Sequence, residues 1–591
     1  MSRPTEPAVA WSRSVLGIAL LLALAAATLP TLLARNVAPS PTFLNQAMAF
    51  GLWAALVVAI APGASRLRAG APELALLLLG LAVGWSWGPG SLPSTLALSA
   101  LCTLAAALLL LQAGRSASQR AAGPDVFVLF CWGWLLAGLA NVAVSLVQVF
   151  TPEWADGQWI AASGLVGRAV GNLRQPNHLS SLLMWGSIAV VVLVQLKRLP
   201  WSAGAVLLSA MVFAVVLTAS RTGLVSVVLL ALWGLLDRRA VPRVRGLLIA
   251  TPLIYAAGWL AMAQWASRTQ QAFGGAARLA ETDISSSRFA IWADTLTLIK
   301  AHPWAGVGWG EFNLAWSLTP LPGRPTAFFD HAHNLPLHLA AELGLPLALA
   351  VMALLLGAFG AAAWRAWRRD GDDGVARRGA VMVVLMIGLH SLLEYPLWYS
   401  YFLLPAAWAL GVALRPAVPE PSAPLAGRGA AGWVLTAGGL VLMAGATFAT
   451  WDYQRVTEIF RAEPGAAPLQ QRVQAGQRSV FFGHHADYAA VTSNIPVPDP
   501  AAAAARASHF LLDTRFMIAW SQRLAAAGDV DGARHLAARL QEFRKPEAGA
   551  FFAPCGGAAS AASAASAAAA AYQCQAPDVP LDWRHFTDEA R

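Results

Sequence analysis

The feature that most constrains this chain is a recurring apolar stretch of near 20 residues, repeated with short connections over most of its length. A helix of about 20 apolar residues crosses the hydrocarbon core of a bilayer, and in lipid a helix satisfies its own backbone polar groups. Candidate spans lie near 14–34, 43–61, 72–87, 93–113, 125–150, 178–196, 201–219, 222–236, 246–265, 334–362, 379–393, 397–414 and 431–450. That makes roughly thirteen. Only 12% of the 591 residues are charged, roughly half the share in a soluble domain. The expected fold is therefore all-α and polytopic. The first apolar segment, Val15 to Leu33, follows Arg13 as a signal peptide would, but spans continue directly after it, so it reads as a retained span.

The net charge of +10 reports topology first. With a cytoplasmic N-terminus, the inner connections carry Arg66 and Arg68; Arg115 and Arg120; Lys197 and Arg198; Arg238, Arg239, Arg243 and Arg245; and Arg365, Arg368, Arg369, Arg377 and Arg378. The outer short connections hold only Arg35, Arg168, Arg174 and Arg221. This is a positive-inside bias. It exports residues 151–177, 266–333 and 451–591, and it makes nucleic acid a poor partner. The organisation that follows is 1–265, N-terminal spans; 266–333, a large outer loop; 334–450, C-terminal spans; and 451–591, an exported α-helical tail. Neither a phosphate loop nor zinc-type cysteine spacing is present. Cys102 and Cys131 fall in apolar spans, whereas Cys555 and Cys574 fall in the tail, where a disulfide is permitted.

In the outer loop, Ser285–Ser287 are expected to cap a helix from Arg288 to about Ala301. Phe289, Trp292, Leu296 and Ile299 recur along one of its faces. Gly306-Val307-Gly308-Trp309-Gly310 invites a nucleotide-binding reading, but no strand precedes it, so a turn is expected. Asp513 to Phe543 reads as a helical hairpin turning at Gly528–Gly532, similar to one tetratricopeptide-like unit.

Polar residues at membrane level gather on the outer side. They are Arg174, Gln175, Asn177 and His178; Ser220 and Arg221; Arg288; Asp330, His331, His333 and Asn334; and His390, Glu394, Tyr395 and Tyr399. Polar groups near lipid are costly and usually face the protein interior or water, so one outward-opening pocket is the simplest arrangement. Each group has a structural alternative. Arg221 can snorkel, Gln175 and Asn177 can satisfy backbone freed by Pro176, and Glu394 and Tyr395 can brace a proline-broken helix. His331 and His333 with Asp330 suggest a metal, but nothing else outside completes a site. Guanidiniums bind phosphate in bidentate fashion, an imidazole takes a proton from a hydroxyl near neutral pH, and the spans offer apolar walls. Such a set fits a lipid-linked diphosphate donor and a hydroxyl acceptor.

The same residues carry a resemblance. In order, these are Gly171-Asn172-Leu173-Arg174-Gln175-Pro176-Asn177-His178, Ser220-Arg221-Thr222-Gly223, Ser287-Arg288 with Trp292, the Gly306–Gly310 turn, His331-Ala332-His333-Asn334 with Gly344, and His390 to Tyr399. The chain resembles the O-antigen ligase superfamily and, within it, the PglL-type protein O-oligosaccharyltransferases, closely over about 170–405. The resemblance implies a GT-C-type glycosyltransferase of the bacterial inner membrane with its site in the periplasm. It would take an oligosaccharide from undecaprenyl diphosphate, without metal or other cofactor, to a protein such as pilin. By position, the resemblance makes His333 catalytic, has Arg221 and Arg288 bind the diphosphate, and matches Gln175 and Tyr395 to positions important in that branch; the residues themselves add Glu394 as a reserve base, Arg174 as a further diphosphate-binding cation, and Asn177, His331 and Asn334 to the substrate lining. The runner-up is an O-antigen ligase whose acceptor is lipid A core, and a repeat-unit polymerase is third. A transporter or flippase is the rival of another class, but its charges belong near the bilayer midplane.

Overall fold

The computed structural model describes residues 13–61, 64, 66–116, 126–280, 284–321, 323–416, 429–555, 571–579 and 581–587. Arg120 and nearly all of the Ala/Ser tract 558–571 lie outside these. Among the described residues every repeating element is a helix, and the only strand-like feature is an isolated bridge between Val37 and Ser40. All thirteen expected segments are helical. Among the described residues, eight helices are long and apolar enough to cross a membrane, and the pair Pro242–Ile249 and Thr251–Thr269, bent by 40°, makes up to nine. Four shorter apolar helices account for the rest.

The chain divides into two compact units. The first comprises Met1–Leu76, Thr103–Thr282 and Ala353–Thr450, and the second Leu77–Cys102, Asp283–Met352 and Trp451–Arg591. In the first unit, helix Pro176–Gln195 is buried along nearly its whole length. It packs on Val126–Phe150, Trp201–Thr218, Arg221–Leu236 and Gly371–Ser391. Between lipid-bathed helices close approach replaces the hydrophobic effect, and small residues permit it. A Cβ on Gly186 would meet Met211 Sδ at 2.9 Å, and one on Gly138 would meet Met211 Cε at 2.7 Å. Trp134 and Trp185 meet edge to face at 4.6 Å nearby, and Trp185 donates from Nε1 to the Val383 carbonyl at 3.0 Å.

Helix Gly371–Ser391 begins eight residues before the expected 379. Arg377 and Arg378 are therefore inside a helix and not in a connection. Their charges are met there, by Asp373 at 2.7 Å and by Asp237 at 2.9 Å.

The second unit holds a helix-breaking device. Helix Leu335–Trp367 is interrupted at Gly344, which has φ 73°, two residues before Pro346. The backbone groups freed at the break pair with the glycine-rich turn: Val307 N donates to the Ala341 carbonyl (2.8 Å), Gly308 N to that of Glu342 (2.9 Å), and Leu345 N to that of Pro303 (2.8 Å). Gly306, Gly308 and Gly310 all have positive φ, so the segment is the expected turn.

One expectation about the outer loop needs correction. The helix there runs Ile284–Ala301, so it begins before the expected Arg288; the side chains of the expected cap, Ser285–Ser287, lie outside the described residues. Its core-facing residues are Ile291, Thr295, Leu298 and Ile299, whereas Phe289 is 64% and Leu296 44% exposed. Of the expected stripe, Ile299 is packed, and Phe289 and Leu296 face outward.

The tail hairpin is present as Thr514–Ala527 and Val530–Glu542. Asp513 caps the first helix, Gly528 closes it at φ 92°, and Asp529 caps the second, so the turn is shorter than expected. The tail also packs on the outer loop within this unit. His509 Nδ1 meets Glu311 at 2.6 Å, His535 Nε2 meets the Leu318 carbonyl at 2.8 Å, and Arg324 pairs with Glu542 at 2.8 Å. Cys555 and Cys574 form a disulfide.

Candidate functional site

The sequence-derived residues fall into two groups, one in each unit. The first begins with residues 169–178, held by two buried amides, Gln148, which sequence reading passed over, and Asn172 of the Gly171–His178 motif. Gln148 accepts from Val170 N and Gly171 N, both at 2.9 Å, and donates to the Ala161 carbonyl at 2.6 Å. Asn172 accepts from Ala161 N (2.9 Å) and donates to the carbonyls of Leu32 (2.6 Å) and Trp159 (2.8 Å). Arg174 turns the chain at φ 57°, and its guanidinium donates to the carbonyls of Ala34 and Asn172. Gln175 caps helix Pro176–Gln195, accepting from His178 N at 2.8 Å.

Asn177 is the node of this group. It donates from Nδ2 to Glu394 Oε1 at 3.0 Å and accepts from Ser220 Oγ at 2.6 Å. Ser220 Oγ in turn accepts from Gly223 N at 3.0 Å, capping helix Arg221–Leu236. Three motifs far apart in sequence are therefore joined through one side-chain amide. Alongside, His390 Nδ1 meets Ser181 Oγ at 2.8 Å, His178 packs edge-on to Tyr399 at 4.6 Å, and Tyr399 stacks on Tyr395 at 6.1 Å.

Arg221 is exposed at the first position of its 16-residue helix. It borders a groove of about 470 Å³ with walls that include Leu224, Tyr255, Trp259 and Leu260. Unpaired N–H groups at a helix N-terminus favour anions, and a guanidinium there adds a formal charge with phosphate-matching geometry. A charged head beside an apolar trough suits an amphiphilic anion.

The second group surrounds the junction of the outer loop with helix Leu335–Trp367. His333 has φ 51°, a left-handed conformation costing a non-glycine residue roughly 1–2 kcal/mol. Its ring stands edge-on to Phe329 at 5.5 Å. Asn334 Oδ1 accepts from Leu337 N at 3.1 Å and caps the helix. Trp292 Nε1 donates to the Ala332 carbonyl at 3.1 Å, and Arg288, half-buried, precedes Trp292 by one helical turn, on the same face.

Asp330 meets His331 Nδ1 at 3.0 Å. Crowding works to raise its carboxyl, but the charge and hydrogen bond of His331, with His333 beyond, hold it well below the usual carboxylate range. His331 stacks on His338 at 5.0 Å, and His338 Nε2 lies 3.5 Å from Glu342 Oε1. This His338–Glu342 pair was missed, although two ionisable residues four apart in an apolar run are a signal. Among the described residues no group of three or more His, Cys, Asp or Glu is arranged to hold a metal ion.

Among the described residues, three of the seven non-glycine residues with positive φ lie at these motifs: Arg174, Ala219 just before Ser220, and His333. Such strain persists where the surroundings over-determine it, and it clusters at working sites.

Known proteins match the chain in the same places. Residues 169–194 match the family described as Protein glycosylation ligase, and residues 204–352 the family described as O-Antigen ligase. Residues 379–550 match Virulence factor membrane-bound polymerase, C-terminal, which reaches into a tail where sequence reading found only a helical hairpin. Two proteins of Acinetobacter baylyi are similar. A General O-oligosaccharyltransferase is 26% identical over 260 residues, 42% of this chain and 43% of the relative. A ComP-specific O-oligosaccharyltransferase is 26% identical over 307 residues, 50% of this chain and 52% of the relative. The chain thus spans about half the length of the curated relatives it matches. These matches and the order of its motifs support, for this multi-pass membrane protein, a likeness to the O-antigen ligase superfamily and its PglL-type branch.

Proposed function

We propose that this protein is an O-oligosaccharyltransferase of the bacterial inner membrane. It transfers a glycan en bloc from undecaprenyl diphosphate to a Ser or Thr hydroxyl of an exported protein such as a pilin. The observation that carries the reading is the Asn177 node, which ties the Gln175–His178, Ser220–Arg221 and Glu394–Tyr395 motifs together at the head of the Arg221 groove. All thirteen apolar helical segments are taken as crossings, with the N-terminus in the cytoplasm and both residue groups on the periplasmic side, in the manner of GT-C enzymes.

Arg221 and Arg288 bind the diphosphate and hold its charge as it leaves the anomeric carbon. Arg174, already engaged by backbone carbonyls, assists them chiefly by fixing its loop. His333 takes the proton of the attacking hydroxyl, and Glu394 is the reserve base or a positioning carboxylate. Gln175, Asn177, His331, Asn334 and Tyr395 shape the substrate region. Attack opposite the leaving diphosphate forms the new glycosidic bond as the old one breaks, so the anomeric configuration inverts. No metal, nucleotide or other cofactor takes part.

The match to O-Antigen ligase over 204–352 favours a second reading, in which the acceptor is lipid A core. Mass spectrometry and lipopolysaccharide analysis of a deletion strain separate the two. Loss of glycan from exported proteins is the expected result; loss only from lipopolysaccharide makes the ligase reading correct.

A further inference from the structure

A second charged cavity, unused by the transfer reaction, lies in the first unit at the helix ends assigned to the cytoplasm. It holds about 840 Å³ and is lined by seven arginines, together with Leu67 and Trp364. Arginines at span ends ordinarily snorkel outward. Three of these do not: Arg115, Arg377 and Arg415 are at most 7% exposed.

The buried three are accounted for. Glu73 pairs with Arg115 at 3.1 Å, and Asp373 pairs with Arg377 at 2.7 Å and also with Arg415. Helix Ser400–Leu414 turns its last carbonyls toward the cluster, where Leu414 accepts from Arg365 at 2.9 Å and Ala413 from Arg377 at 3.3 Å. Such a terminus carries partial negative charge. Among the described residues, two carboxylates and one helix end face these seven guanidiniums. Arg68, Arg365, Arg368 and Arg369 stand partly or fully exposed around the opening, and among the described residues no carboxylate lines the cavity. A concave surface of one charge focuses its potential and concentrates counter-ions.

The apolar neighbours narrow the ligand. Trp364 is 59% and Leu67 46% exposed, and the Arg368 guanidinium lies 4.5 Å from the centre of the Trp364 ring. Phosphate-binding forks beside exposed apolar side chains suit a phosphate ester that carries a hydrocarbon chain. We propose that this cavity binds the headgroup of an anionic phospholipid, its acyl chains running along Leu67 and Trp364. The choice of leaflet rests on the proposed topology; the binding does not.

The test uses the full chain purified in a non-ionic detergent, which exposes both faces and needs no transfer activity. Native mass spectrometry would follow titration with phosphatidylglycerol, cardiolipin, phosphatidylcholine or inorganic pyrophosphate. The expected result is binding of the two anionic lipids and not of phosphatidylcholine. In Arg365→Ala/Arg368→Ala that binding falls at least tenfold, and Arg368→Lys restores part of it in an Arg365-intact background relative to Arg368→Ala. Melting temperatures without lipid verify that the variants fold, and Arg368→Glu alone, at an exposed position, serves if the double variant does not. Pyrophosphate bound more tightly than either lipid would overturn the lipid assignment. Equal binding of all lipids, or equal binding by wild type and variants, would overturn the site.

Discussion

Asn177 commits both ends of its amide, one to Glu394 and one to Ser220. Asn177→Leu keeps the volume and removes both hydrogen bonds, which costs roughly 1–3 kcal/mol in all. We expect a lower melting temperature together with lost transfer. Glu394→Gln retains an oxygen for Asn177, so it should fold as wild type; full activity in that variant would leave Glu394 a structural role alone. At Arg221 the account requires a planar fork. Arg221→Ala should abolish transfer without loss of membrane insertion, and Arg221→Lys should recover only part of it, as measured by glycan on acceptor per unit of membrane-inserted protein. For His333, removing a positioned base typically costs about a hundred- to ten-thousand-fold in rate. His333→Ala should therefore bind donor and fail to transfer it, with His331→Ala affected less; wild-type turnover by His333→Ala would exclude it as the base.

Among the elements, the break in helix Leu335–Trp367 and the turn that seals it form one device. A Cβ on Gly344 would lie 2.3 Å from the Trp304 carbonyl, and one on Gly306 would lie 2.4 Å from Glu342 backbone. Both positions also demand positive φ. Gly344→Ala should therefore cost at least about 1–2 kcal/mol from the backbone conformation alone, read as a lower melting temperature or a loss of folded protein. The tail elements make the fold sensitive to pH. His484 and His485, in helix Gly483–Thr492, and His535 are buried. Burial lowers His485 and His535 to about 4, and His484 well below its ordinary value. A histidine with a depressed folded value stabilises fully above its unfolded value near 6.5, and that contribution is lost as pH falls toward 4. Between pH 7 and pH 5 this removes on the order of 2 kcal/mol for each of His485 and His535. A melting curve unchanged over that interval would contradict their burial as neutral rings.

For the whole molecule, apolar run length was enough to locate all thirteen helical segments, because in lipid nothing competes with the helix for the backbone. The candidate residues were legible as polar groups at one level, but their pairing was not. Gln148 and Asn172 serve loop backbone, and nothing local in a sequence says which carbonyls they will meet. The early start of helix Gly371–Ser391 was hidden because Arg377 and Arg378 read as loop charges until Asp373 and Asp237 were seen to meet them. Orientation is tested by fusion reporters: one active only in the periplasm should work after Arg455 and be silent after Arg369, and the reverse pattern would invert the topology. The most direct test of the central claim is transfer itself. Purified protein, undecaprenyl-diphosphate-linked oligosaccharide and an acceptor protein are combined in the presence of a strong chelator, and the product is scored for glycan and anomeric configuration. The account predicts an intact glycan on a Ser or Thr hydroxyl with inverted anomer. No transfer by folded, donor-loaded protein, or a product with retained configuration, would contradict it.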